Sequence, residues 1–249
     1  MTYSIVARDS ETGQIGIAVA SRFFACGSLV PHLSDTAAIA SQAFVNPLWG
    51  IEGLPRLIGG EAAPDVIADF IARDAGQSMR QAHMIGPDGQ IAQHTGADCV
   101  PWAGHVQGKD VSVAGNMLAG PEVVSETLRA YEAALDQPFV ERLLIAMQAG
   151  EDASGDKRGR QAAGLCIHDG QPYPSLDLRV DDHSDPLSEL RRLYAVSEER
   201  LKFFSMGLAT VENFSGMTDR SPIDEAISAD ETRRKEGNIK SQSQAVPPV

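Results

Sequence analysis

Strands gathered in blocks around tight turns, with helices returning in antiparallel pairs, predict an α+β fold. The expected architecture is two antiparallel sheets stacked on each other and covered by helices, a four-layer α-β-β-α sandwich. The element order runs strands, helix pair, strands, helix pair, strands, helix, whereas a doubly wound parallel sheet needs strict alternation of strand and crossover helix. A chain of 249 residues, 43% of them hydrophobic, also has enough apolar material for one large core.

Thr2–Ala7 and Gln14–Ser21 alternate at period two around the turn chemistry of Ser10-Glu11-Thr12-Gly13, which makes them a β-hairpin. If Asp9 pairs with Gln14, the register puts Thr2 opposite Ser21, about 5 Å away. Thr36–Phe44 reads as a third strand, and its small residues Ala37, Ala38, Ala40 and Ala43 call for close cover by a helix. Asn46-Pro47 and Gly50 then punctuate the chain. Helical patterns follow over Ile51–Ile58 and Pro64–Arg73, the second with Val66, Ile67, Phe70 and Ile71 on one face.

Strands Arg80–Ile85 and Gln90–Thr95 flank the turn Pro87-Asp88-Gly89, and Val111–Gly115 is another strand. Prolines open the helix pair Pro121–Leu135 and Pro138–Ala149. Gln161–His168 and Leu176–Val180 are strands around Asp169-Gly170-Gln171-Pro172. Asp185-Pro186 starts a long amphipathic helix with Leu187, Leu190, Tyr194, Leu201 and Phe204 in one stripe. A single domain is therefore expected over 1–205, with 206–249 a polar, aperiodic and flexible tail.

A net charge of −13 argues against nucleic acid and anionic membrane surfaces as partners. No run is long and apolar enough for a transmembrane helix, and the first residues do not read as a secretory signal. The three cysteines, Cys26, Cys99 and Cys166, are odd in number and widely spaced, as expected of reduced thiols in a cytoplasmic protein.

The start of the chain carries the chemistry. Removal of Met1 would leave Thr2 with a nucleophilic hydroxyl and a free α-amine, which can act as base for its own side chain. An α-amine titrates near ~7.8, so roughly a sixth of it is unprotonated at neutral pH. The ordinary alternative is an exposed threonine at a strand start.

Several stretches together resemble the domain-of-unknown-function 1028 family, which is placed among the N-terminal-nucleophile (Ntn) hydrolase folds. They are Met1-Thr2-Tyr3-Ser4-Ile5-Val6-Ala7-Arg8-Asp9, Gly16-Ile17-Ala18-Val19-Ala20-Ser21-Arg22, His94-Thr95-Gly96 and Trp102-Ala103-Gly104-His105. Further along come Gly115-Asn116-Met117-Leu118-Ala119-Gly120-Pro121-Glu122, Gly155-Asp156-Lys157-Arg158-Gly159-Arg160-Gln161 and Asp177-Leu178-Arg179-Val180-Asp181-Asp182-His183. The resemblance implies an Ntn-hydrolase-like sandwich with Thr2 as nucleophile, and Asn116, Asp156 and Ser21 orienting its amine. Proteasome subunits are similar over the first strands but place an acidic residue at Ser21 and a lysine on the following strand. No lysine lies between Arg22 and Asn46 here, so Arg22 or the Lys157-Arg158-x-Arg160 cluster would supply the positive field.

Arg22 is either a surface arginine or a substrate ligand at the site mouth. Gln42 and Asn46 sit where the third strand enters a helix; backbone N–H groups there would hold an oxyanion, and Asn46 would add a side-chain donor or simply make the turn. His94, Cys99 and His105 lack the four ligands and tight spacing of a structural zinc site and are expected to be cleft-wall or core residues. Asp181-Asp182-His183 would ligate a metal or cap the last helix. Lys157, Arg158 and Arg160 would bind a substrate carboxylate or form a solvated loop. Cys26 with His32 as base is the rival nucleophile pair. The expected function is hydrolysis of an amide or related acyl bond of a small molecule or peptide, without metal or cofactor, by a homo-oligomer whose dimer would use the 186–205 helix. The alternative is an Ntn-like fold without this chemistry, serving as a ligand-binding or structural oligomer.

Overall fold

The computed structural model describes residues 2–246. The hairpin forms first in the chain: β1 (Thr2–Arg8) and β2 (Ile15–Ser21) pair antiparallel with Tyr3 opposite Ala20, the expected register. Asp9 N–H donates to Gln14 O at 2.8 Å, and the Asp9 carboxylate accepts from Glu11 N–H at 2.9 Å, which shapes the turn. A one-turn helix α1 (Cys26–Leu29) and a three-residue strand β3 (Pro31–Leu33) follow, neither visible in the sequence pattern.

Then come β4 (Ala38–Ala43), α2 (Pro47–Ile58), α3 (Ala63–Arg73), β5 (Arg80–Ile85), β6 (Ile91–Thr95), β7 (Gly104–Gly108) and β8 (Val111–Asn116). The remainder is α4 (Glu122–Ala133), α5 (Phe139–Asp152), β9 (Ala162–His168), β10 (Pro174–Val180), α6 (Pro186–Ser197), α7 (Leu201–Ser205) and α8 (Ser221–Glu236). The fold is α+β with eight α-helices among the described residues and two antiparallel sheets. One sheet has the order β10-β9-β2-β1-β8-β7, the other β3-β4-β5-β6.

Residues 1–187 form one compact unit and 188–249 a second. Within the first, alternation along β1 assigns each face of the larger sheet. Tyr3 points toward α5, where its hydroxyl donates to Met147 O at 2.9 Å. Ser4 points the other way, to Gln42 on β4 and His83 on β5, so the two sheets face each other. α4 and α5 contact the far face of the six-stranded sheet, and α2 and α3 contact the four-stranded sheet. Trp49, Leu57, Val66, Phe70, Ile39 and Met84 make the core between the smaller sheet and its helices.

The layer between the sheets has two halves. One is apolar, with Val6, Ile15, Ile17, Val19, Ala40 and Ile85 in contact. The other is polar and buried. Ser4 Oγ–H donates to Gln42 Oε1 at 2.7 Å, which leaves Ser4 Oγ to accept from His83 Nε2–H at 2.8 Å. His83 Nδ1 then accepts from Ser112 Oγ–H at 2.8 Å, and Ser112 Oγ accepts from Gln93 Nε2–H at 2.8 Å. The chain of donors thus runs in one direction and fixes a neutral histidine tautomer. Burial, with the charge of His105 adding, pushes His83 down to about 3.

The second unit departs from two expectations. The single long helix over 186–205 is two helices, broken after Ser197. The Ser197 hydroxyl bonds back to Tyr194 O, and Glu198 and Glu199 put negative charge where a helix C-terminus disfavours it. The segment read as an aperiodic tail contains α8, whose Asp230 pairs with Arg233 and Arg234 at i+3 and i+4. Its low amphipathicity explains why no apolar period announced it. No helix among the described residues is long and apolar enough to cross a membrane.

Two outcomes test the polar layer. His83→Leu strips partners from Ser4 and Ser112 and should cost about 2–5 kcal/mol in denaturant unfolding. A histidine held neutral in the folded state takes up a proton only on unfolding once pH falls below its ordinary value. Its contribution is therefore complete above pH ~6.5 and lost as pH falls toward ~3. Between pH 6.5 and 5, the stability of His83→Gln should fall less steeply than that of the parent protein. Parallel slopes would show that His83 is not held neutral.

Candidate active site

Thr2 begins β1 on the face turned toward the smaller sheet, and its Oγ1 lies 3.1 Å from Ser21 Oγ at the end of β2. Asn116 ends β8 directly across from Thr2 on the other side, with Nδ2 directed at Thr2 O at 3.5 Å and donating to Gln81 Oε1 at 2.9 Å. Thr2, Ser21 and Asn116 are all buried. Met1, whose removal the nucleophile reading requires, lies outside the described residues.

A small cavity of about 70 Å³ opens beside Thr2. Cys26, Leu29 and Val30 of α1 and its exit form one wall, Ala43 and Val45 another, and Phe23 closes the rim. α1 lies this close to the sheet because Gly27 crosses Gly164 of β9; a Cβ added at Gly164 would stand 2.7 Å from Gly27 Cα. Ala43 adopts a left-handed φ of 68°, a conformation that costs a non-glycine residue about 1 kcal/mol or more. That twist ends β4 and turns Val45 into the cavity wall. Val45 lines this cavity together with Thr2, and among the described residues its N–H has no acceptor.

The wall segment is clamped from behind. Asp74 accepts from Asn46 Nδ2 at 2.9 Å, Trp49 Nε1 at 3.0 Å, Arg80 Nε at 3.2 Å and Gly76 N–H at 2.8 Å. Burial alone would raise its pKa, but these donors together hold it at about 2. Arg80 in turn bonds Phe44 O and stacks on the Phe44 ring, 5.1 Å from its centroid. Asn46 itself caps α2 through Oδ1, which accepts from Leu48 N–H at 3.0 Å, so both ends of its amide have structural partners. Gln42 reaches the cavity wall, yet its amide is engaged by Ser4, Gln81 and Ala114 O.

The loop before β9 is tied to the end of β2, next to Ser21. Asp156 accepts from Arg22 N–H at 2.9 Å and Arg158 N–H at 2.7 Å, and pairs with the Arg158 guanidinium at 3.2 Å. Its carboxylate thus meets the residue after Ser21 and locks the loop to the end of β2. Arg22 Nη1 donates to Arg158 O at 2.8 Å, and Lys157 Nζ donates to Pro101 O at 2.8 Å. Neither cation has a carboxylate within ion-pair distance among the described residues. Arg160 turns away and pairs with Glu151 and Asp185.

His94 and His105 do not share a site. His94 Nε2 meets Gln77 O, and its ring lies 5.5 Å from Trp49 on the helix-covered side of the smaller sheet. His105 Nδ1 meets Thr95 Oγ1 at 2.9 Å, and Thr95 links through Gln81 to Asn116. Cys26 is buried and its thiol is pushed up to about 12 by burial and by Asp181, which removes thiolate character. His32 bonds Val30 O rather than Cys26, and burial lowers its pKa. The rival pair is therefore not assembled.

A family model described as "Family of unknown function (DUF1028)" matches residues 2–190. The chain belongs to this family. No curated protein matches it. Among solved structures, the DUF1028 chain is similar to the crystal structure of protein SPO2555 from Silicibacter pomeroyi, itself assigned to DUF1028, with a TM-score of 0.81 and 29% identity. The similarity covers 88% of this chain and 99% of that one.

Asp156→Ala removes the acceptor of two backbone N–H groups and should cost about 1–3 kcal/mol. Amide hydrogen exchange should accelerate about tenfold or more at Arg22 and Arg158 while core strand amides keep their protection. Unchanged exchange at both amides would show that the carboxylate does not hold the loop.

Proposed function

We propose that this DUF1028 protein is an Ntn-type hydrolase that cleaves an amide or related acyl bond, with Thr2 as nucleophile after loss of Met1. The observation that carries this reading is the buried Thr2 hydroxyl, 3.1 Å from Ser21 Oγ, beside a cavity lined by Val45, whose N–H has no acceptor among the described residues. Stacked antiparallel sheets with helices on the outer faces support reading the architecture as the α-β-β-α sandwich of Ntn hydrolases.

On this reading the substrate carbonyl sits against Thr2 with its side group in the cavity. The Thr2 amine accepts the hydroxyl proton as Oγ1 bonds to the carbonyl carbon. The carbonyl oxygen becomes an oxyanion, which the Val45 N–H stabilises. The C–N bond then breaks, and the leaving amine takes the proton from the ammonium. Water attacks the acyl ester, giving its proton to the amine. The C–O bond breaks, Oγ1 regains a proton, and an acid leaves. Ser21 hydrogen-bonds the nucleophile, Asn116 steadies the Thr2 backbone, and Asp156 acts through the Arg22 backbone rather than on the reacting atoms.

N-terminal sequencing of the purified protein should begin at Thr2; Met1 in most molecules would sink the self-activated mechanism. Thr2→Ala should lower kcat by several decades with little change in substrate binding. Thr2→Ser, which keeps hydroxyl and amine, should retain part of the rate. Normal turnover by Thr2→Ala would move the chemistry elsewhere.

A further inference from the structure

The cavity beside Thr2 and the arginine that follows Ser21 differ in chemistry, and together they describe a ligand. Apart from Thr2 and the engaged amide of Gln42, the cavity presents side chains of carbon and sulfur among the described residues. Cys26 stays protonated there, so it contributes no charge. An apolar cavity of about 150 Å³ takes up a six-carbon benzene ring, so a space of about 70 Å³ suits a group of about three carbon atoms. Such a wall attracts a branched aliphatic group and penalises a charged one, which would lose its hydration without a partner.

Outside the cavity the situation reverses. Arg22 is exposed, follows Ser21 directly, and holds a guanidinium whose one internal partner is a carbonyl oxygen. In a chain of net charge −13, with carboxylates in excess, an arginine without an acidic partner at this position is conspicuous. Arg158 is neutralised by Asp156 and Arg160 by Glu151. Arg22 therefore keeps its charge for a ligand. A planar guanidinium with unused N–H donors fits a carboxylate in two-point contact.

Resting on the Thr2-nucleophile reading, we propose that the substrate is an N-acylated amino acid or short peptide. Its scissile carbonyl bears a compact branched aliphatic group that fills the cavity, and its amine side carries a free carboxylate that meets Arg22. Cleavage yields a small aliphatic acid, or an acyl-side peptide ending in such a residue, together with a free amino acid.

The test uses Thr2-initiated full-length protein and two probe series. In the first, p-nitrophenyl esters of acetate, isobutyrate, octanoate and succinate are compared by turnover and by intact mass of the acyl-protein. Isobutyrate should exceed acetate and octanoate by about tenfold or more, and succinate should be poorest. Leu29 lies 39% exposed at the cavity mouth, so the changes there are compatible with folding. Leu29→Lys should turn the preference toward succinate, and Leu29→Trp should abolish the advantage of isobutyrate over acetate.

In the second series, N-isobutyryl-glycine should be cleaved about tenfold better than N-isobutyryl-glycinamide by kcat/KM. Arg22→Met should bring that ratio near one. Acyl adducts on Thr2 with no selection among acyl groups, or a free-carboxylate preference untouched by Arg22→Met, would overturn the substrate assignment and leave the nucleophile standing. No adduct with any ester would overturn both.

Discussion

The hydrogen-bonded layer between the two sheets is the constraint on which the rest of the first unit depends. Neither face of either sheet is left to water at its centre, so a polar side chain there must find a protein partner or cost a few kcal/mol. Gln93, Ser112, His83, Ser4 and Gln42 meet that demand by passing one donor to the next, and Gln42 hands on to Gln81, which also receives Asn116. Every link joins strands of opposite sheets or neighbouring strands. A one-residue slip of β1 would turn Ser4 to the helices and Tyr3 to His83, leaving both without partners. The network thereby sets the register that puts Thr2 beside Ser21 and opposite Asn116.

At the mouth the same principle works with charge. Asp74 and Asp156 each gather donors from segments that would otherwise end loosely, and both include backbone N–H groups. Asp74 holds the turn after β4, and Asp156 holds the end of β2 to the loop before β9. The left-handed Ala43 between them is tolerated because its neighbours are pinned on both sides. The walls of the cavity are accordingly built from short loops pinned at strand ends, which suits the proposed task of holding a carbonyl within a fraction of an ångström.

Much of this frame was readable from residues alone, and the omissions have a common cause. The first hairpin register, the Pro87-Asp88-Gly89 turn and the helix pair opened by Pro121 and Pro138 follow from local chemistry, and the strands and helices stand where that chemistry put them. α1, β3 and β7 carry too few residues for a period to show. Ser4, Gln81, His83 and Ser112 escaped notice as a network because alternation marks them as the polar side of a strand, and polar usually means solvent. Only the stacking of two sheets turns that side inward. Asn46 and Arg160 drew attention by composition, but a helix cap and a half-buried glutamate claim them. The Val45 N–H carries no sequence signal, since any residue has one; its significance comes from the twist at Ala43.

The absence of a lysine near Thr2 acquires a physical meaning in this setting. The place behind Thr2 is filled by carboxamides, Gln42, Gln81 and Asn116, whose donors and acceptors are already matched to one another. A buried ammonium there would lack a carboxylate and would cost far more than it gave. On the proposed mechanism this neutral bed leaves the α-amine to take the Thr2 proton, while positive charge stays outside it, on Arg22 next to Ser21. Charge placed there acts on a ligand arriving from water, against the negative field of the whole chain, and does not perturb the nucleophile. The proposed mechanism therefore separates its two tasks: proton transfer falls to Thr2 at the start of β1, and anion recognition to loops that Asp156 ties together.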